Sequence, residues 1–314
     1  ANRPDVIVGS VPGLPTLPAA LALGRGLRRP VVVELRDAWP DILASAADWG
    51  SSPGRAGSRW SRVRRAALSG VRGAIPPVVT RLEREAAAIV TTTDSFARVL
   101  RGRGMGRVVT VRNTAVPRDW ALPAVPREQP DEALHVLYLG TVGRAQGLRS
   151  AVRAAALARA QGTRMVLRIV GEGADLAPTR HEAEELGAPV EILPMVPADR
   201  VAAHYAWADS VLVSLQDWPS MELTVPSKLY EVMATGRHVS VAAAGAAGRI
   251  VKASRSGDVV PPQDPAALAR LWQELAADRD RLVVTGGGPW LEAHASCSAL
   301  LDRYEAVLER TAHA

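Results

Sequence analysis

Lysine is nearly missing from this chain: of its 38 lysine and arginine residues only Lys228 and Lys252 are lysine, and none precedes residue 228. Cysteine is scarcer still. The single Cys297 excludes an internal disulfide and a zinc cluster built from cysteines, and it fits a reducing compartment. No run of about 18 apolar residues occurs, so the sequence offers no membrane span. The opening ANRPDVIVGS has neither an initiator Met nor a signal-peptide pattern, and it reads as a start inside a domain. No nucleic-acid-binding motif accompanies the basic residues, which argues against a nucleic-acid partner.

What is present is a chain of 314 residues, 47% hydrophobic, long enough for two domains of ordinary size. A net charge of +6 and a pI near 10.2 favour acidic partners such as nucleotides or anionic lipid. The bias toward Arg, Ala and Gly is what a GC-rich genome writes, and it discounts part of that pI.

Short apolar, β-branched runs alternate with Ala-, Leu- and Arg-rich helical stretches. The strand candidates are VIVGS (6–10), VVVEL (31–35), AIVTTT (88–93) and VVTVR (108–112), then HVLYLG (135–140), MVLRIVG (165–171), VEILPM (190–195), SVLVSL (210–215) and HVSVAA (238–243). Fully apolar strands separated by helices predict parallel, doubly wound α/β sheets. Between the two sets lies PRDWALPAVPREQPDEA (117–133), with four prolines and no periodicity. The expected organisation is therefore a first domain over 1–122, a linker over 123–133, a second domain over 134–285 and a closing helix over 286–314 that packs back toward the first domain. Such domains bind ligands at the carboxyl ends of their strands.

Three groups of residues follow strands directly. GTVGRAQG (140–147) is a Gly-rich turn into a helix, which aims backbone N–H groups at an anion, and Arg144 adds a cation with a planar donor fork. Its glycines fall at 140, 143 and 147, a looser spacing than the dinucleotide fingerprint, although Glu172 could act as that motif's acidic residue. A plain tight turn with a surface arginine fits the same residues. In VPSKLYEVMATG (225–236), Leu229, Val232 and Met233 share one helical face, while Thr224, Ser227, Lys228, Glu231 and Thr235 share another. The polar face is expected to look toward a ligand, with Lys228 as a compact charge for a diphosphate and Glu231 for sugar hydroxyls. An i,i+3 surface ion pair is the plainer alternative. RDAWPD (36–41) places Arg36, Asp37 and Trp39 after a buried strand, where Asp37 suits a substrate hydroxyl and Trp39 a ring; helix capping and core packing would explain them equally.

RPDVIVGSVPGLPTLPAALAL, VELRDAWPD, LGTVGRAQGL, VGEGAD, VPSKLYEVMATG and SGDVVPPQDPAAL occur in the order seen in retaining glycosyltransferases of family 4. The chain resembles most the subgroup that builds bacterial surface and lipid-linked glycans and carries a PSK-x-x-E motif. The resemblance implies a GT-B fold, in which two Rossmann-like domains face each other across a cleft, the first binding acceptor and the second nucleotide-sugar. It implies a hexosyl- or N-acetylhexosaminyl-transferase that works without metal or cofactor, with a UDP-sugar the first expectation for its donor. The acceptor hydroxyl would belong to a glycan, a glycolipid or a small molecule. Arg144 and Lys228, with the Gly140 and Gly143 backbone, would hold the diphosphate. Ser227 would lend its N–H, Glu231 would bind the ribose, and Gly171 and Gly173 would let the chain pass close to the nucleotide. Met195 and Val196 would border the base, and Arg36 and Asp37 would serve the acceptor.

Three departures from the family pattern stand out. Relatives carry a pair of glutamates eight positions apart; position 223 is Leu here, leaving Glu222 or Asp217 as donor-sugar candidates. The lysine usual in the first phosphate loop is Gln146. Relatives also have roughly another hundred residues before anything like RPDVIVGS, so the first domain is expected to lack its opening strands.

Residues 49–82 carry seven arginines and no acid, interspersed with Trp60, Val63, Leu68 and Val71. The stretch 55–81 is a candidate for peripheral contact with an anionic membrane, on the inner face of the plasma membrane of a cytoplasmic protein; a solvated loop is the alternative. The rival functions are an epimerase of nucleotide-sugars, a nucleotide-sugar-binding module without catalysis, and an NAD-linked oxidoreductase.

Overall fold

A computed structural model describes residues 3–11, 13, 15–45, 75–115, 122 and 133–313. Nearly all of the expected linker, and residues 55–74 of the basic stretch, lie outside them. The chain divides into two compact units. The first holds residues 1–112, 218–224 and 298–314, and the second 113–217 and 225–297. This differs from the expected boundaries in three ways, the first being that the break falls after residue 112 rather than 122. The closing segment is split, with residues up to 297 in the second unit and the rest in the first. A short insert containing Glu222 belongs to the first unit although its neighbours in sequence belong to the second.

The first unit is a parallel sheet of β1 (Ile7–Val11), β2 (Val31–Leu35), β3 (Ala88–Thr91) and β4 (Val108–Thr110), in that spatial order. Helix α1 (Thr16–Leu27) joins β1 to β2, and α2 (Asp94–Gly102) joins β3 to β4. Val31, Val33, Leu35 and Ile89 pack on Leu17, Leu21, Phe96 and Leu100 on one face. Val32, Ala88 and Val90 pack on Val307 on the other. Burial on both faces explains why these strands read as unbroken apolar runs. Thr93 caps α2, accepting a hydrogen bond from the Phe96 N–H at 3.1 Å, and its hydroxyl donates to the Leu223 carbonyl at 2.6 Å, which ties the 218–224 insert to this unit.

The second unit is a six-stranded parallel sheet of β5 (Leu134–Leu139), β6 (Met165–Val170), β7 (Val190–Leu193), β8 (Ser210–Ser214), β9 (His238–Ala242) and β10 (Gly257–Val260). Their spatial order is β10-β9-β8-β5-β6-β7. Numbered within the unit this is 3-2-1-4-5-6, read from the β7 edge, the doubly wound order in which strand direction of travel reverses between the first and fourth strands. Helix α3 (Leu148–Ala160) follows β5; its Leu148, Ala151, Val152 and Ala155 recur at helical spacing and are fully buried. The remaining helices are α4 (Leu176–Glu185), α5 (Val201–Trp207), α6 (Ser227–Thr235), α7 (Gly245–Ser254), α8 (Pro265–Ala277) and α9 (Gly287–Ala295), with α10 (Cys297–Ala312) entering the first unit.

At the amino ends of the strands polar groups are buried but paired. Arg279 meets Asp209 at 2.7 Å, and the other Asp209 oxygen accepts the His135 N–H at 2.8 Å. Ser210 Oγ lies 2.9 Å from His238 Nδ1, and His238 Nε2 lies 3.1 Å from Asp258. That series has the composition of a hydrolase triad. Ser210 is wholly inaccessible and sits at the first residue of its strand, away from the carboxyl-end loops, so it is satisfied polar core. Among the described residues no helix is long and apolar enough to cross a membrane.

Candidate functional site

The reversal of strand order between β5 and β8 opens the sheet at their carboxyl ends, and the Gly-rich loop after β5 occupies that point. Its neighbour is the loop after β6. The Gly140 N–H donates to Val170, the Val142 N–H to Glu172 at 2.7 Å, and the Asp175 N–H back to Val142. Gly171 and Gly173 have φ of +156° and +154°, and a Cβ on Gly173 would lie 2.3 Å from the Val142 carbonyl oxygen. These two glycines permit backbone contact between the two loops.

The loop is braced from beneath and capped from within. Tyr138, its hydroxyl kept protonated by burial, donates to the Thr141 carbonyl at 2.6 Å. Arg144 to Gln146 form a single 3-10 turn, and the Gln146 side-chain oxygen accepts the Gly143 N–H at 3.1 Å. The residue standing where the resemblance leads one to expect a lysine is thus a cap, and the Gly143 N–H already has an acceptor. Gly147, left-handed at φ +59°, leads into α3, and a Cβ there would meet the Gln216 side chain at 3.2 Å. The Gln216 N–H donates to Ala145 at 2.8 Å, so the segment after β8 closes the other side of the loop. Arg144 is exposed, and its charge acts with Arg149 against the burial that raises the Asp175 carboxyl.

Helix α6 supplies the third wall. It begins at Ser227, directly after Pro226, with no side chain capping its first N–H groups. Leu229, Val232 and Met233 are buried as their spacing predicts, and Tyr230 is buried with them. Thr224 stands outside the helix, in the insert belonging to the first unit, so it does not share the polar face assigned to it. The Lys228 stem reaches over the Gly-rich loop: a Cβ on Gly140 would lie 3.9 Å from Lys228 Cγ. Lys228 Nζ donates to both Glu231 oxygens, at 3.0 and 3.1 Å. The i,i+3 ion pair weighed from the sequence is therefore formed, but at the switch point of the sheet and over the loop rather than on an unrelated surface. Glu231 has a second partner that the sequence did not reveal. Tyr205, fully buried on α5, donates its hydroxyl to Glu231 Oε1 at 2.9 Å.

Gly140, Gly143, Arg144, Gly171, Gly173, Lys228 and Glu231 thus come from three adjacent loop–helix junctions of one sheet. Met195 and Val196 follow β7, which adjoins the 171–173 loop through the Gly171 N–H and Leu193; Met195 is 58% exposed, unusual for its type. Asp217 is exposed and adjoins Gln216, its N–H donating to Gln263 at 3.1 Å. Glu222 is exposed on the insert of the first unit, which does not group it with these residues.

In the first unit, RDAWPD follows β2. Arg36 pairs with Glu34 at 3.7 Å, and burial raises the Asp37 carboxyl against the opposing Arg36 charge. Asp41, at the end of the motif, receives a hydrogen bond from Arg103 at 2.5 Å. Near them Glu83 is fully buried, and neither of its oxygens has a hydrogen-bond partner among the described residues. Burial pushes its carboxyl up to about 8, and the Asp41 charge adds to that rise while Arg103 opposes it. Nothing in the sequence marked Glu83. Among the described residues, no three His, Cys, Asp or Glu side chains gather as a metal-binding group.

Comparison with known proteins agrees with this architecture. Residues 133–278 match the family model described as "Glycosyl transferases group 1". Over 256 residues the chain is 24% identical to the Escherichia coli (strain K12) protein assigned to colanic acid biosynthesis as the glycosyl transferase WcaI, an alignment that takes in 77% of this chain and 58% of WcaI. The chain thus spans less than two thirds of that relative. Among solved structures, HepE of Anabaena in complex with UDP and glucose superposes with a TM-score of 0.71 at 16% identity, covering 97% of this chain and 77% of HepE. Sucrose-phosphate synthase of Thermosynechococcus elongatus gives 0.68 at 18% identity, covering 98% and 73%. The chain has the GT-B fold of these solved structures, and its residues 133–278 are similar to the group 1 glycosyl transferases.

Proposed function

We propose that this protein is a retaining glycosyltransferase of family 4, which moves a hexosyl or N-acetylhexosaminyl group from a UDP-sugar to a hydroxyl of a glycan, glycolipid or small molecule. The observation that carries the reading is the placement of Lys228 over Gly140 with Glu231 one turn on, beside Arg144, at the switch point of a Rossmann-like sheet. The UDP in the HepE complex, and the match of residues 133–278 to group 1, support the donor class.

In this reading the bond between the anomeric carbon and the β-phosphate oxygen breaks, and the electron pair leaves with the diphosphate. Lys228, Arg144 and the first N–H groups of α6 take up that charge, a task fixed cations and dipoles perform without a metal. The acceptor oxygen bonds to the same face of the sugar, and its proton passes to the departing phosphate oxygen. Glu231 accepts hydrogen bonds from the ribose. Gly171 and Gly173 leave room for the nucleotide beside the loop they pack on, Met195 and Val196 border the base, and Asp217 or Glu222 contacts the donor sugar. Arg36 and Asp37 serve the acceptor.

A thermal-shift panel of UDP, GDP, ADP and TDP, followed by their sugars, tests the donor class. Lys228→Ala is expected to lower turnover about 10²–10³-fold; turnover within twofold of wild type would remove the assignment. A new nucleotide-sugar formed without acceptor would replace the transferase reading by an epimerase.

A further inference from the structure

Glu231 is held at two points of different character. Lys228 donates to both of its oxygens, at 3.0 and 3.1 Å, from a half-buried, flexible stem on the same helix. Tyr205 donates to Oε1 alone, at 2.9 Å, from a side chain with no exposed surface on a different helix. The two contacts therefore differ in how easily they are given up. A lysine can swing away through four carbon–carbon bonds, whereas a buried tyrosine has two torsions and packed neighbours on its ring.

Helix α5 is itself anchored. Arg237, only 3% exposed, follows α6 and donates through Nε to the Tyr205 carbonyl at 2.9 Å and through Nη2 to the Ala206 carbonyl at 3.4 Å. The end of α6 is thereby tied to the end of α5, and the Tyr205 hydroxyl meets Glu231 in a fixed register. A hydrogen bond from a neutral hydroxyl to a carboxylate is among the stronger kinds, and a buried, rigid donor fixes which lone pair of the oxygen is used.

We propose that Tyr205 is the positioning residue for Glu231: it holds Oε1, so that Oε2 is the oxygen left for a sugar hydroxyl once Lys228 turns to the diphosphate. This rests on the nucleotide-sugar reading above and extends it. Lys228 and Glu231 satisfy each other in this structure, so a ligand must separate them. A nucleoside diphosphate offers both groups a new partner at once. A nucleoside or a diphosphate alone leaves one charge of the pair without a partner, and it binds correspondingly more weakly. Tyr205 keeps the carboxylate from following the lysine.

The test is calorimetric titration of wild type, Tyr205→Phe, Glu231→Gln and the double variant with UDP, uridine and pyrophosphate. Tyr205→Phe removes only the hydroxyl. It is expected to weaken UDP and uridine about fivefold to tenfold, leave pyrophosphate within twofold, and add nothing in the Glu231→Gln background. Equal weakening of all three probes, which a merely structural role would produce, overturns the proposal, and so does no weakening. If Tyr205→Phe does not fold, Glu231→Asp withdraws the carboxylate from the hydroxyl while keeping its charge. The same selective loss of uridine binding is then expected, and unchanged uridine binding overturns the proposal. Failure of the wild type to bind UDP at all removes both this inference and the donor reading. UDP binding indifferent to Tyr205→Phe removes only the inference.

Discussion

Gly171 and Gly140 meet so closely that no side chain fits between them: a Cβ on Gly171 would lie 1.8 Å from the Gly140 carbonyl oxygen. Gly171 also has φ of +156°, a conformation other residues rarely adopt. The contact joins the loops after β5 and β6 into one backbone platform beneath Lys228.

Gly171→Ala should therefore damage stability and ligand binding together. The expected loss is about 2–4 kcal/mol, from backbone strain plus displacement of the 140–142 segment. Denaturant unfolding measures it, with UDP titration on the same sample. Unchanged affinity in a destabilised variant would separate the platform from the donor site.

Glu83 sets a pH dependence of stability with an unusual sign. Its carboxyl rises from 4.5 when free to about 8 in the fold, so between these values the folded protein holds a proton the unfolded chain has lost. Its contribution is greatest below about 4.5, declines as pH climbs through that window, and is gone above about 8. The decline is at most roughly 1.4 kcal/mol per pH unit. Glu83→Gln keeps the shape and removes the titration. Melting temperatures from pH 5 to 9 should show the Gln variant pulling ahead of wild type as pH rises; parallel curves would mean Glu83 finds a partner when ionised.

Asp37 is raised by burial while Arg36 opposes the shift, which leaves a carboxyl after β2 suited to a substrate hydroxyl. Asp37→Asn is expected to lower kcat at least about tenfold with UDP affinity within twofold of wild type. The acidic limb is expected to change as well: wild-type turnover should rise with pH through the raised carboxyl value, and the Asn variant should lose that rise. A loss of UDP affinity instead would place Asp37 on the donor side.

Much of the second unit was legible from residue types alone. Strands such as Met165–Val170 and Ser210–Ser214 are β-branched runs between helical segments, and buried parallel strands have no other way to be written. The strand Gly257–Val260 was missed. It is four residues long, half-buried along its length and at the sheet edge, so it carries neither an apolar run nor an alternation. Lys228 and Glu231 were legible because their helix separates an apolar face from a polar one. Tyr205 was not, since a tyrosine on a short helix looks like core until a carboxylate from another helix is seen at its hydroxyl. Gln146 read as the loss of a cation, and only the closed turn shows it as the acceptor for Gly143. Glu83 gave no sign, because a carboxyl at the end of a helical stretch is commonplace and burial is decided by what folds over it.

The sequence by itself determined the two parallel α/β sheets, the Gly-rich turn after β5 and the polar face of α6. Each follows from local rules: periodicity, glycine freedom and the spacing of side chains along one helix. Only the tertiary structure decided that Gly171 and Gly173 serve the neighbouring loop, that residues 218–224 and 298–314 belong to the first unit, and that Tyr205 and Lys228 share Glu231. Those relations join atoms far apart in the chain. They rest on strand order and helix register, which set distances of a few ångströms that no single segment encodes.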